Sequence, residues 1–142
     1  LGTVATGQLT TLRVADHFEH TLPDGSIEEE PLPEEYEVEH RNLNLRPETL
    51  TTLQRVFEEV AKSYGLELSG ARVFGKTGTA QTGASGLYTI YLAFSIVYPD
   101  GNAYEAVLMR EKSSEMSSVL KPLAKQLLAA IDRLHPAWEE TT

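Results

Sequence analysis

The 142-residue sequence contains no cysteine. Disulfides and thiolate metal sites are therefore excluded, and neither an oxidising nor a reducing compartment is favoured. No apolar run approaches the roughly 18 residues that a membrane-spanning helix needs, and no basic-then-apolar leader stands at the start. The first residue is Leu1 and not Met, so the sequence is read as following an upstream part. Basic residues are scarce: 12 Lys and Arg stand against 21 Asp and Glu, for a formal net charge of −9. Such a surface repels phosphate backbones, and no basic patch with interleaved aromatics offsets it, which argues against nucleic acid as a partner. Internal repeats are absent. What remains is an ordinary globular composition, 41% hydrophobic and 23% charged, in a length that suits one domain or a piece of one.

Residues 1–45 read as an extended or irregular lead-in. Within them, "LTTLRVADHFEHTLPDGSI" alternates loosely around Leu12, Val14 and Phe18, and Pro23-Asp24-Gly25 is a turn signal, which predicts a strand or irregular hairpin. The acidic "EEEPLPEEYEVEHRNLNL" reads as a solvated surface connection whose end adds a short extended piece. A helix is predicted over 46–65. Pro47 suits its first position, Glu48 the positive end of its dipole, Lys62 its last turn and Gly65 its C-terminus. Leu50, Leu53, Val56, Phe57 and Val60 form its apolar stripe.

Antiparallel strands are predicted over 71–110, as a three-strand meander with a hairpin at Pro99-Asp100-Gly101-Asn102. Tyr88, Ile90, Leu92 and Phe94 share one face; Tyr91, Ala93, Ser95 and Val97 share the other. Both faces are apolar enough to be covered. A last helix over 114–135 carries Leu120, Leu123, Ala124, Leu127, Leu128, Ile131 and Leu134, with Pro122 near its first turn and Ser117 or Ser118 as N-cap. The fold class is α+β: an antiparallel sheet with packed helices.

The stretch Gly70-Ala-Arg-Val-Phe-Gly75-Lys76-Thr77 admits two readings. As GxxxxGK[ST] it would cradle phosphates, but that loop needs a helix starting at Lys-Thr. The following "GTAQTGASG" is poor helix, and Ala71–Phe74 look like strand. As Lys-Thr-Gly on a strand it would border a cleft. Gly78 leaves room for a substrate backbone, and Thr77 and Thr79 turn their hydroxyls to one face.

"GKTGTAQ", preceded by an amphipathic helix and followed by two strands and a terminal helix, resembles the C-terminal part of the transpeptidase domain of penicillin-binding proteins. The likeness spans roughly Gly7 to Leu134 by element order. "ATGQLTTLRVA" looks like the region after that family's second motif, and "LTTLQRVFEEVAKSYG" like the helix leading into its KTG strand. The Trp-Phe pair of the family's next strand is replaced by "LYTIYLAF". The resemblance implies a partial penicillin-binding, serine β-lactamase-like sub-fold and acyl transfer between peptidoglycan stem peptides through a serine. It gives Lys76 the proton network and an attraction for the substrate carboxylate. Thr77 and Thr79 become hydroxyl donors around Gly78, and the Thr79 N–H becomes half of an oxyanion hole.

The parent enzyme is then expected at the extracytoplasmic face of the bacterial cytoplasmic membrane, held by an anchor not present in this chain. Its partners are stem peptides, β-lactams and the rest of the transpeptidase domain. No cofactor and no metal is implied.

The same family carries SxxK and SxN before KTG. No SxN occurs here. The single SxxK match, Ser118-Val-Leu-Lys121, follows KTG and reads as a helix start. The chain is therefore expected to be inactive alone and, with an open sheet, to self-associate. The alternatives are a non-catalytic binding or assembly module of the same sub-fold, or a phosphate-loop domain. His17 and His20 would fall on opposite faces of a strand and read as surface groups, not metal ligands. His40 and His135 stand isolated. Tyr64, Tyr88, Tyr91, Tyr98 and Tyr104 read as packing, and Trp138 as part of a tail.

Overall fold

The computed structural model describes residues 1–11, 15–33, 36, 39–83 and 85–139, with side chains through 135. In chain order it runs α1 (Gly2–Thr6), β1 (Gln8–Thr10), β2 (His17–Thr21), β3 (Ile27–Pro31), β4 (His40–Asn42), α2 (Pro47–Ser63), β5 (Arg72–Gln81), β6 (Tyr88–Val97), β7 (Ala103–Ser113) and α3 (Lys121–Glu139). Two units result, one of residues 8–44 and one of residues 1–7 with 45–142. The architecture is α+β with antiparallel sheets throughout.

The lead-in has more structure than its composition suggests. Residues 2–6, expected to be irregular, form a helical turn closed by Gly7 in the left-handed region, whose N–H reaches the carbonyl of Thr3. In the smaller unit β1 pairs with β4, and β2 with β3. Asp24 closes the β2–β3 turn by accepting from the amide and hydroxyl of Ser26, which hold its carboxyl below the usual range. The acidic run Glu28–Glu30 is strand and not a surface connection, although all of β3 is exposed. Phe18 is exposed too, and Leu12 and Val14 lie outside the described residues.

In the larger unit Pro47 opens α2 at its first turn. Its end is a Schellman motif: Gly65, at φ 68°, donates to Lys62, and Leu66 donates to Ala61. The contact line of α2 is rotated from the expected stripe. Ala61 is buried, while Val56 is 53% exposed. The reason lies across the interface at Gly75, where a Cβ would stand 3.0 Å from the Ala61 backbone. A glycine facing an alanine draws helix and strand together along that line.

The sheet order is β5-β6-β7, with β6 central. Register places Val73, Gly75, Thr77 and Thr79 beside Ile96, Phe94, Leu92 and Ile90 on one face. That face is the core: Ile90, Leu92, Phe94 and Ile96 are fully buried with Leu66, Leu120, Ala124, Leu128 and Ile131. The opposite face is covered only in part. Phe74 is fully buried there and Ser95 donates to Glu105 at 2.8 Å. Val107 and Met109 remain 68% and 55% exposed.

Before α3 comes a single 3₁₀ turn, Ser117–Leu120, and Pro122 falls in the first turn of the helix proper. Neither Ser117 nor Ser118 caps it. The Ser117 hydroxyl is buried against Tyr64 Oη at 2.8 Å, and the turn has no side-chain cap. The helix continues to Glu139 through Trp138, whose side chain lies outside the described residues.

His135 is not isolated in space. It stacks on Tyr98 at 3.7 Å, meets Tyr104 Oη through Nδ1 at 3.1 Å, and places Nε2 3.0 Å from Asp100. Tyr98 and Tyr104 are packing residues here, 5.9 Å apart edge to face.

Candidate active-site strand

Lys76, Thr77, Gly78 and Thr79 follow one another in the middle of β5, which among the described residues is an edge strand paired with β6 alone. Ten consecutive residues from Arg72 to Gln81 pair with β6 without a register break. No helix begins at Lys76-Thr77, so the phosphate-loop geometry is absent and that reading is overturned.

Alternation divides the four residues. Thr77 and Thr79 belong to the helix-covered face, opposite Leu92 and Ile90; Lys76 and Gly78 belong to the other, opposite Ala93 and Tyr91. The strand edge brings the two sets together. The Lys76 ammonium turns back and donates to the carbonyl oxygen of Thr77. That contact sets the cation over the Thr77 backbone, beside Gly78. Lys76 and Thr79 are exposed, and Thr77 and Gly78 are half-buried. A cation with two neighbouring threonines on an edge strand offers the charge and hydroxyl chemistry that a carboxylate needs.

The two glycines of the motif answer to different neighbours. Gly75 is required by α2, as described above. A Cβ on Gly78 would meet Tyr91 at 3.5 Å, an ordinary contact, and Gly78 has no left-handed backbone. Among the described residues nothing excludes a side chain there.

The later serine–lysine pair is structural. Ser118 is exposed, and Lys121 Nζ donates to the Ser63 carbonyl at 3.0 Å while lying 4.6 Å from the Tyr64 ring centroid. The cation thus closes the carbonyl end of α2. Sequence reasoning missed that role, and also missed Arg72, which joins β5 to α2 through Glu58 at 2.7 Å and Gln54 at 3.1 Å. A basic residue at the head of a strand next to an acidic helix was the available signal.

Comparison with known proteins agrees with the architecture. The family model of the penicillin binding protein transpeptidase domain matches residues 2–129. No curated protein and no solved structure matches the chain.

Proposed function

The chain belongs to the penicillin-binding protein transpeptidase family, and from that premise we propose that it supplies the KTG strand of a peptidoglycan D,D-transpeptidase. The observation that carries this reading is Gly78. It is a glycine that the fold does not require, set in an open edge strand between two threonines and beside a lysine. A bare backbone at that point lets an extended peptide lie along β5.

In this reading the stem-peptide carboxylate is drawn by Lys76 and bonded by the hydroxyls of Thr77 and Thr79. The Thr79 N–H faces the carbonyl oxygen that becomes negative during acyl transfer. Lys76 also holds the proton network of the nucleophile. The nucleophile is a serine on a segment that precedes KTG in the family's motif order. This chain has neither an SxxK in that position nor an SxN. It is therefore a contributor to an active site and is inactive alone. β-Lactams, as acyl donors of the same shape, bind the same edge. The enzyme works on the outer side of the cytoplasmic membrane, where its substrate lies.

The test is acylation by a β-lactam of the enzyme that joins this chain to its upstream sequence. Lys76→Ala should slow it by about 10²–10³-fold, the effect of losing one preorganised electrostatic group, with the melting temperature unchanged because Lys76 is exposed. Acylation at the parent's rate in that variant would contradict the proposal.

A further inference from the structure

We propose that the β2–β3 hairpin holds one divalent transition-metal ion between His17, Glu19 and Glu29. This site is independent of the transpeptidase reading. His17 and Glu19 lie on the same face of β2 by alternation, and register sets Glu29 of β3 directly opposite Glu19. Their ligand atoms all lie within 4.8 Å of one another. His17 Nε2 and Glu19 Oε1 are 3.3 Å apart. Two ligands about 2.1 Å from a tetrahedral ion are roughly 3.4 Å apart, so this pair needs little adjustment.

The second imidazole nitrogen, Nδ1, lies 3.5 Å from Asp16 Oδ2. A carboxylate on one ring nitrogen fixes the tautomer that leaves the other free for a metal.

The electrostatics of the hairpin call for a cation. Like charges directly opposite in a sheet are destabilising, and an isolated two-stranded sheet is marginal on its own. Glu19 and Glu29 nevertheless face each other in such a sheet. Residues 8–44 include ten Asp and Glu against two Arg, so this unit carries nearly all of the chain's net −9. On the other face His20 Nε2 already pairs with Glu30 at 2.9 Å. The imidazole selects for zinc, cobalt or nickel over magnesium or calcium. His17 and His20 do fall on opposite faces, so sequence spacing alone could not assemble the site; the second strand contributes the third ligand.

The experiment is calorimetric titration of ZnCl₂ into the 142-residue chain, with CoCl₂ absorption to report coordination. One ion per chain is expected, undisplaced by equal magnesium. His17→Ala and Glu29→Gln should each weaken binding by at least about tenfold, Asp16→Asn by about tenfold, and His20→Ala by less than twofold. Glu29→Gln removes the facing charges, so its hairpin stays folded without metal and its loss of binding cannot be a loss of structure. Absence of saturable binding would overturn the proposal. So would several weak ions per chain with no dependence on His17 and Glu29.

Discussion

Gly75 and Gly78 stand three residues apart on one strand, and their surroundings differ: packing requires the first to be glycine and not the second. A methyl group at Gly75 would meet the Ala61 backbone at 3.0 Å, so α2 must move. Gly75→Ala should cost about 1–3 kcal/mol, the usual range for overpacking. Gly78→Ala meets only ordinary contact and should change stability by under about 1 kcal/mol, in the stabilising direction if at all. Urea denaturation of both variants checks the contrast. Comparable losses would mean that Gly78 serves the fold, and would remove the main support for a substrate edge. Of this pair, the sequence showed a GKTG run but not which glycine does what. That distinction needs the position of Ala61, 14 residues earlier, and no periodicity reports it.

The elements themselves were more legible than their surroundings. Pro47, Lys62 and Gly65 mark the ends of α2 by backbone chemistry that acts locally, and Pro99-Asp100-Gly101-Asn102 marks the β6–β7 turn for the same reason. In the lead-in the hairpin turn at Pro23-Asp24-Gly25 was legible, since β2 and β3 pair across it; the rest was not, because β1 and β4 are 30 residues apart and β3 is a row of glutamates with poor strand propensity.

Contacts between elements also escaped notice, as at the tie between β6 and α3. There Tyr98 donates to Asp132 at 2.9 Å. Burial, reinforced by the Asp132 carboxylate, raises the Tyr98 phenol well above the tyrosine range. A raised folded-state pKa gives stability that is complete below the unfolded value, about pH 10, and is lost as pH climbs beyond it. Tyr98→Phe should therefore be less stable by about 1 kcal/mol at neutral pH. It should also show a shallower stability loss above about pH 10 than the parent. Denaturation midpoints across that range decide it; parallel curves would contradict the assignment.

For the molecule as a whole, the apolar pattern exceeds what the chain can cover. Val56, Leu123, Val107 and Met109 are all more than half exposed, and the described strands leave β5 and β7 each with one unpaired edge. Surfaces of this kind associate. Light scattering on the isolated chain should show a mass that rises with concentration, and Val107→Lys with Met109→Lys should reduce it; a monomer at every concentration would contradict the expectation. KTG, SxxK and SxN could be weighed from sequence because each is a short local pattern, whereas a cleft is made by contacts between distant residues that no local pattern reports.

The most direct test of the central claim is an intact-mass spectrum after incubation with excess penicillin, taken on this chain and on the chain joined to its upstream sequence. The expected result is an unchanged mass for the chain alone and a single penicilloyl adduct, on a serine before Leu1, for the longer form. An adduct on Ser118 of the chain alone, or none on the longer form, would contradict it.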